Sequence, residues 1–135
     1  MAEPTILLVD DDAEMRALLG EVLRPEGYIV EEAATGAEAF ASLRNHSFAA
    51  IIMDKNRPGL SGLHLLPSLR AISRDTPVVL MTTLADAAYL DGLSGGLCEV
   101  IFKPFRMEEL LLIIRRAVLA EDRAPSPEGA AADSR

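Results

Sequence analysis

The chain has 135 residues, half of them hydrophobic and a quarter charged, with a formal net charge of -8. That length predicts one domain that buries ~two-thirds of its unfolded surface without staples, and the acidic balance argues against general nucleic-acid binding, because no basic stripe neutralises phosphates. A single cysteine, Cys98, excludes an intrachain disulfide and fits a reducing cytoplasm, and apolar runs of about five residues fall far short of the ~20 needed to span a bilayer.

In chain order, the opening Met-Ala-Glu-Pro carries no basic n-region and predicts no signal peptide. A first strand is predicted over 5–9. A helix over 13–24 follows, with Met15, Leu18, Leu19, Val22 and Leu23 at helical spacing, closed by Pro25 and Gly27. A half-alternating strand, 28–33, reads as an edge. Thr35-Gly36-Ala37-Glu38 is a capping box that opens a helix over 36–45, with Phe40 turned inward. A third strand is predicted at 49–53. Turn formers Asn56, Pro58, Gly59, Ser61 and Gly62 lead to a helix over 63–73. A strand over 77–82, a short helix over 86–94 and a glycine-broken loop come next. A last strand at 99–102 precedes a helix over 106–121, whose core face is Met107, Leu110, Leu111, Ile114 and Val118. Leu112 and Ile113 are expected off that stripe. Residues 1–121 are expected to form the domain, and 122–135, without periodicity, to be a disordered tail or the start of a linker. The strands at 5–9, 49–53 and 77–82 are near-continuous apolar runs, as parallel strands covered on both faces should be. The expected fold is α/β: a doubly wound five-stranded parallel sheet, order 2-1-3-4-5, helices on both faces.

The residues that close these strands carry the chemistry. Asp10, Asp11 and Asp12 close Ile6-Leu7-Leu8-Val9. Asp54 closes Ile51-Ile52-Met53, Thr82 closes Val78-Val79-Leu80-Met81, and Lys103, before Pro104, closes Val100-Ile101-Phe102. Parallel strands bring these ends to one edge of the sheet. Carboxylates, a hydroxyl and an ammonium together suit a divalent cation and a phosphoryl group. Asp54 is the candidate nucleophile, because a carboxylate attacking phosphorus forms an acyl phosphate. Adjacent Asp10 and Asp11 repel unless a cation neutralises them. Asp12 reads as a helix cap. The bland alternatives are turn aspartates, a β-branched strand residue and a surface lysine.

The segments ILLVDDDAEMR, IIMDKNRPGLSGL, PVVLMTT and FKPF, in this order over roughly residues 5–120, resemble the receiver domain of two-component response regulators, which has a flavodoxin-like fold. The resemblance implies that Asp54 is the phospho-acceptor and that Mg²⁺ is the cofactor. Asp11 and Asp54 would be its direct ligands, Asp10 would act mainly through water, and the backbone carbonyl of Asn56 would add a third protein ligand. Thr82 would be the switch hydroxyl and Lys103 the phosphoryl contact, with a cis bond to Pro104. The implied donor is a histidine kinase or phosphotransfer protein. The implied output is contact with a downstream effector or a second copy, through the face built from the helix at 86–94, the last strand and the last helix. Leu112 and Ile113, with Tyr89 and Leu90, are candidates for that contact. Direct nucleic-acid or membrane binding is not expected, and a cytoplasmic location is.

Several residues depart from the family pattern. Val100 stands where an aromatic is usual, Arg57 where methionine often stands, Thr83 where a smaller residue is more usual. Leu84 puts an apolar group where an attacking water would approach. His46 and His64 sit in no metal-ligand pattern. The rival readings are a phosphorylation-independent pseudo-receiver and a magnesium-dependent phosphohydrolase that uses Asp10 and Asp12. The second would need acids near the end of the chain, but the last strand offers Lys103 and no acidic pair.

Overall fold

The computed structural model describes residues 3–54, 71–73, 75–83 and 98–123. β1 (Thr5–Val9), β2 (Ile29–Ala33), β3 (Ala50–Asp54), β4 (Val78–Thr83) and β5 (Cys98–Lys103) form one sheet, in the order β2-β1-β3-β4-β5. Every pairing is parallel. The inner strands β1, β3 and β4 are apolar because both faces are covered, so they need no alternating polar face. Each strand end lies within one residue of its predicted position.

The two faces follow from the two-residue period of a strand. Leu7, Val9, Ile51, Met53, Val78 and Leu80 point to one side, where Ala39 and Leu43 of α2 (Gly36–Asn45) and Phe48 cover them. Ile6, Leu8, Ala50, Ile52, Val79, Met81 and Ile101 point to the other. There they meet Leu19 and Leu23 of α1 (Ala13–Leu23), and Leu110, Ile114, Ala117 and Val118 of α3 (Met107–Arg123). Ile52 lies between these helices and is almost fully buried. Ile52→Val should lower stability by about 1 kcal/mol, because one methylene leaves a close-packed layer; urea unfolding is the check.

Local chemistry sets the helix ends. Asp12 caps α1, its carboxylate accepting the Glu14 and Met15 N–H groups at 3.0 and 3.4 Å. At the other end Pro25 tightens the chain into a 3₁₀ turn, Arg24–Glu26, instead of continuing α1 to residue 24. Gly27 then takes φ 97°, which a side chain would strain. In the capping box Thr35 accepts the Glu38 N–H at 3.1 Å. The Glu38 carboxylate reaches back one residue further than the motif requires, to the Ala34 N–H at 2.8 Å. Thr35→Ala should lower stability by about 1 kcal/mol, read as a thermal shift.

Two expectations need correction. Leu18 is exposed, because α1 turns Leu19, Gly20 and Leu23, and partly Met15 and Val22, inward. Ile113 is not off the core stripe: it packs partly against the α1–α3 layer. Leu119 is exposed instead. Residues 71 and 72 are helical, in line with the end of the predicted 63–73 helix. The rest of that helix, the predicted helix at 86–94 and the tail beyond 123 lie outside the described residues.

Candidate functional site

The strand ends converge as expected. Val9 pairs with Met53 in register, so Asp10 and Asp54 come next at the same level of neighbouring strands. Backbones at that level are ~4.8 Å apart. Both acids are buried, Asp10 at 1% and Asp54 at 0% exposure. Two carboxylates buried side by side repel strongly in a low dielectric. The surroundings answer that charge. Lys103, at the end of β5, sends its Nζ to Asp54 Oδ2 in a hydrogen-bonded ion pair. The Asp12 N–H donates to Asp10 Oδ1 at 2.9 Å. The Lys103–Pro104 bond is cis, as the resemblance implied.

The acidic run therefore divides into three roles. Asp10 is buried at the strand end, Asp11 is exposed at the rim, and Asp12 caps α1. Arg16 is a residue the sequence reading missed. Its Nη1 donates to the Asp10 carbonyl at 2.6 Å and its Nε to Glu32 at 2.9 Å. It ties α1 to the acidic strand end and to β2. The available signal was its place one turn after the cap.

Thr82 is fully buried on β4, and its Oγ1 has no hydrogen-bond partner among the described residues. A buried hydroxyl left without a partner carries a desolvation penalty of ~1–3 kcal/mol, which an incoming acceptor oxygen would relieve. By alternation Thr82 follows Leu80 on the α2 face, with Val100 and Phe102 beside it on β5. Asp10, Asp54 and Lys103 follow Leu8, Ile52 and Ile101 on the α1–α3 face. Thr82 thus closes β4 one residue beyond the register partner of Asp54, on the other face of the sheet. Val100 packs partly against the α2-side core.

The donor set is hard oxygen, which fits Mg²⁺. Among the described residues no three acidic, histidine or cysteine side chains are arranged to hold an ion by themselves. The predicted trio Asp10, Asp11 and Asp54 is therefore not a closed cage. Asn56, Arg57 and Leu84, singled out in the sequence, lie outside the described residues.

Comparisons with known proteins bear on the family and the fold. The family described as "Response regulator receiver domain" matches residues 6–115. The transcriptional regulatory protein PrrA of Mycobacterium tuberculosis is 34% identical over 116 residues, 85% of this chain and 50% of that protein. A CpxR homolog of Haemophilus influenzae is 37% identical over 122 residues, 90% of this chain and 52% of that protein. The chain thus spans about half the length of these curated relatives. Among solved structures, the response regulator TrrA of Thermotoga maritima, in complex with Mg²⁺-BeF, is similar with a TM-score of 0.74 and 30% identity. The match covers 84% of this chain and 98% of that one. The chemotaxis response regulator CheY4 of Vibrio cholerae matches with a TM-score of 0.75 and 31% identity, over 86% and 99% of the two chains. The family match covers most of the chain, and these neighbours share its fold: the chain belongs to the receiver-domain family of two-component response regulators.

Proposed function

We propose that Asp54 accepts a phosphoryl group from a partner histidine kinase or phosphotransfer protein, and that the chain signals through the resulting change of shape. The observation that carries this reading is the buried Asp54–Lys103 pair, at the strand ends where Thr82 is also buried with a hydroxyl that has no partner among the described residues. An Asp54 carboxylate oxygen attacks phosphorus, and an O–P bond forms. The P–N bond to the donor imidazole breaks, and the imidazole leaves as the neutral ring once it has taken a proton. Lys103 moves from the carboxylate to a phosphoryl oxygen, and Thr82 donates its hydroxyl to another. Asp54 and Asp11, with Asp10 through water and the Asn56 carbonyl, would hold Mg²⁺. The ion supplies charge neutralisation for the phosphoryl oxygens.

Receiver domains are signalling modules, and response regulators work with histidine kinases and effectors. For this chain, output would run by protein contact, with an effector or a second copy, through the face of β5 and α3 and the segment at 86–94. Residues 1–121 would be the receiver domain and 122–135 a tail or linker. Among the described residues no helix is long and apolar enough to cross a membrane, and a cytoplasmic place suits the reading. Phosphorylation adds charge and three acceptor oxygens at the strand ends, which shifts the population between two states. Val100 has little to swing there. Phe102, register partner of Thr82 on the same face and 38% exposed, is the aromatic in position to respond.

The Val100 substitution also favours a second reading, a pseudo-receiver that binds its partner without phosphate. Beryllofluoride with Mg²⁺ separates the two. A phospho-accepting site should give chemical-shift changes at Thr82, Lys103 and Phe102 and a raised Tm. No response would favour the pseudo-receiver.

A further inference from the structure

Asp10 is held at its N–H, its carboxylate and its carbonyl. The N–H donates to the Ala33 carbonyl of β2 at 3.1 Å, and Oδ1 accepts the Asp12 N–H at 2.9 Å. A strand end that turns into a helix supplies those two contacts from its own backbone. The carbonyl is different, because it accepts Nη1 of Arg16 at 2.6 Å, a charged side chain from the first turns of α1. The same guanidinium donates Nε to Glu32 Oε1 at 2.9 Å, and Arg24 Nη2 lies 3.8 Å from Glu32 Oε2. Glu32 stands on β2 as the register partner of Leu8. Its carboxylate thus has an α1 arginine at each oxygen. The guanidinium is a rigid planar fork, so the bond to Glu32 fixes the plane from which Arg16 reaches Asp10. The Arg16 side chain is only 16% exposed, so water screens this brace less than it would a surface pair.

The Asp10 carbonyl and the Asp11 N–H belong to one planar peptide unit. Holding the carbonyl sets that plane, and with it the direction in which Asp11 leaves the strand. Asp10 is buried and gains order from its surroundings, whereas Asp11 is exposed at the rim, where burial does not orient it. We propose that Arg16, braced by Glu32, is a positioning residue: through the Asp10–Asp11 peptide it aims the Asp11 carboxylate and so sets the affinity of the acidic edge for Mg²⁺. The proposal rests on reading that edge as the Mg²⁺ site. Two effects of Arg16 oppose each other. Its positive charge repels a cation held by the neighbouring acids, while its hydrogen bond orders the ligands. The Glu32 carboxylate, 2.9 Å away, offsets much of that charge and leaves the ordering. Removal of Arg16 therefore weakens the ion. Were the charge the larger effect, removal would tighten it, so the sign of the change separates the two.

The probe is Mg²⁺ alone, titrated into the 135-residue chain and followed by amide chemical shifts. Arg16→Met should raise the Kd for the ion about tenfold, the lower end for groups that orient metal ligands. Arg16→Lys keeps the charge but has no planar fork to bond both partners. It should also weaken the ion, and it serves if circular dichroism shows that Arg16→Met does not fold. Glu32→Ala should weaken the ion as well. Added to Arg16→Met, it should change the Kd by less than about twofold, because the two residues act as one unit. Phe48 is buried just before β3, at the opposite end of the strands. Phe48→Leu should leave the Kd unchanged, which separates positioning from a general loss of stability. An Arg16→Met chain that binds the ion as tightly as wild type, or more tightly, overturns the proposal. So do additive losses from Arg16 and Glu32, or an equal loss in Phe48→Leu. Because the readout is the ion alone, failure here is distinct from failure of the phosphorylation reading, which uptake from acetyl phosphate by the wild type tests.

Discussion

Asp54→Asn is expected to reduce phosphoryl uptake from acetyl phosphate to background, a loss of at least about a hundredfold. The amide keeps the shape of the carboxylate and its place at the end of β3, but it is a poor nucleophile toward phosphorus. It also leaves Lys103 without its anion and relieves Asp10 of a like-charged neighbour, so the two electrostatic changes oppose each other. The variant should therefore remain folded, with stability within about 1 kcal/mol of wild type. Intact mass after incubation with acetyl phosphate and Mg²⁺ is the measurement. Uptake by Asp54→Asn at the wild-type rate would move the acceptor to another residue.

Lys103→Met is expected to destabilise the fold by about 2 kcal/mol. Breaking a fully buried ion pair by removing one partner costs roughly 3–5 kcal/mol. Lys103 is 24% exposed, so water already screens part of the pair and the loss is smaller. After the substitution Asp54 and Asp10 remain buried as two neighbouring carboxylates. The double variant Lys103→Met/Asp54→Asn removes one of those charges. It should recover most of the loss, giving a coupling of about 1–2 kcal/mol in a double-mutant cycle. Saturating Mg²⁺ should stabilise Lys103→Met more than wild type, because the ion then takes the place of the missing cation. Additive single-variant effects in urea unfolding would mean that the pair seen at the strand ends does not govern the charge balance of the site.

The parallel core was legible because the inner strands β1, β3 and β4 are buried on both faces and so are written as uninterrupted apolar runs. The site was legible for the same reason: Asp10, Asp54, Thr82 and Lys103 are the residues at which those runs stop. Helix faces were less legible. Leu18 and Ile113 differ little in type from the buried Leu19 and Ile114, and which one points inward depends on how α1 and α3 sit on the sheet. Ala117 is buried without any hydrophobic signature of its own. Arg16 was missed because its shorter contact is to a backbone carbonyl, which leaves only its place one turn after the cap as a signal. The partnerless state of Thr82 is a property of packing, invisible in any list of residues.

The central claim is that the acyl phosphate forms at Asp54. Borohydride reduces an acyl phosphate to the alcohol but leaves a free carboxylate untouched, so it marks the phosphorylated residue permanently. Tritiated borohydride applied after acetyl phosphate and Mg²⁺, followed by peptide mapping, should place the label at Asp54 and nowhere else, and omission of acetyl phosphate should abolish it. Label at Asp10, Asp11 or Asp12, or no label from a chain that has gained a phosphoryl group, would contradict the account.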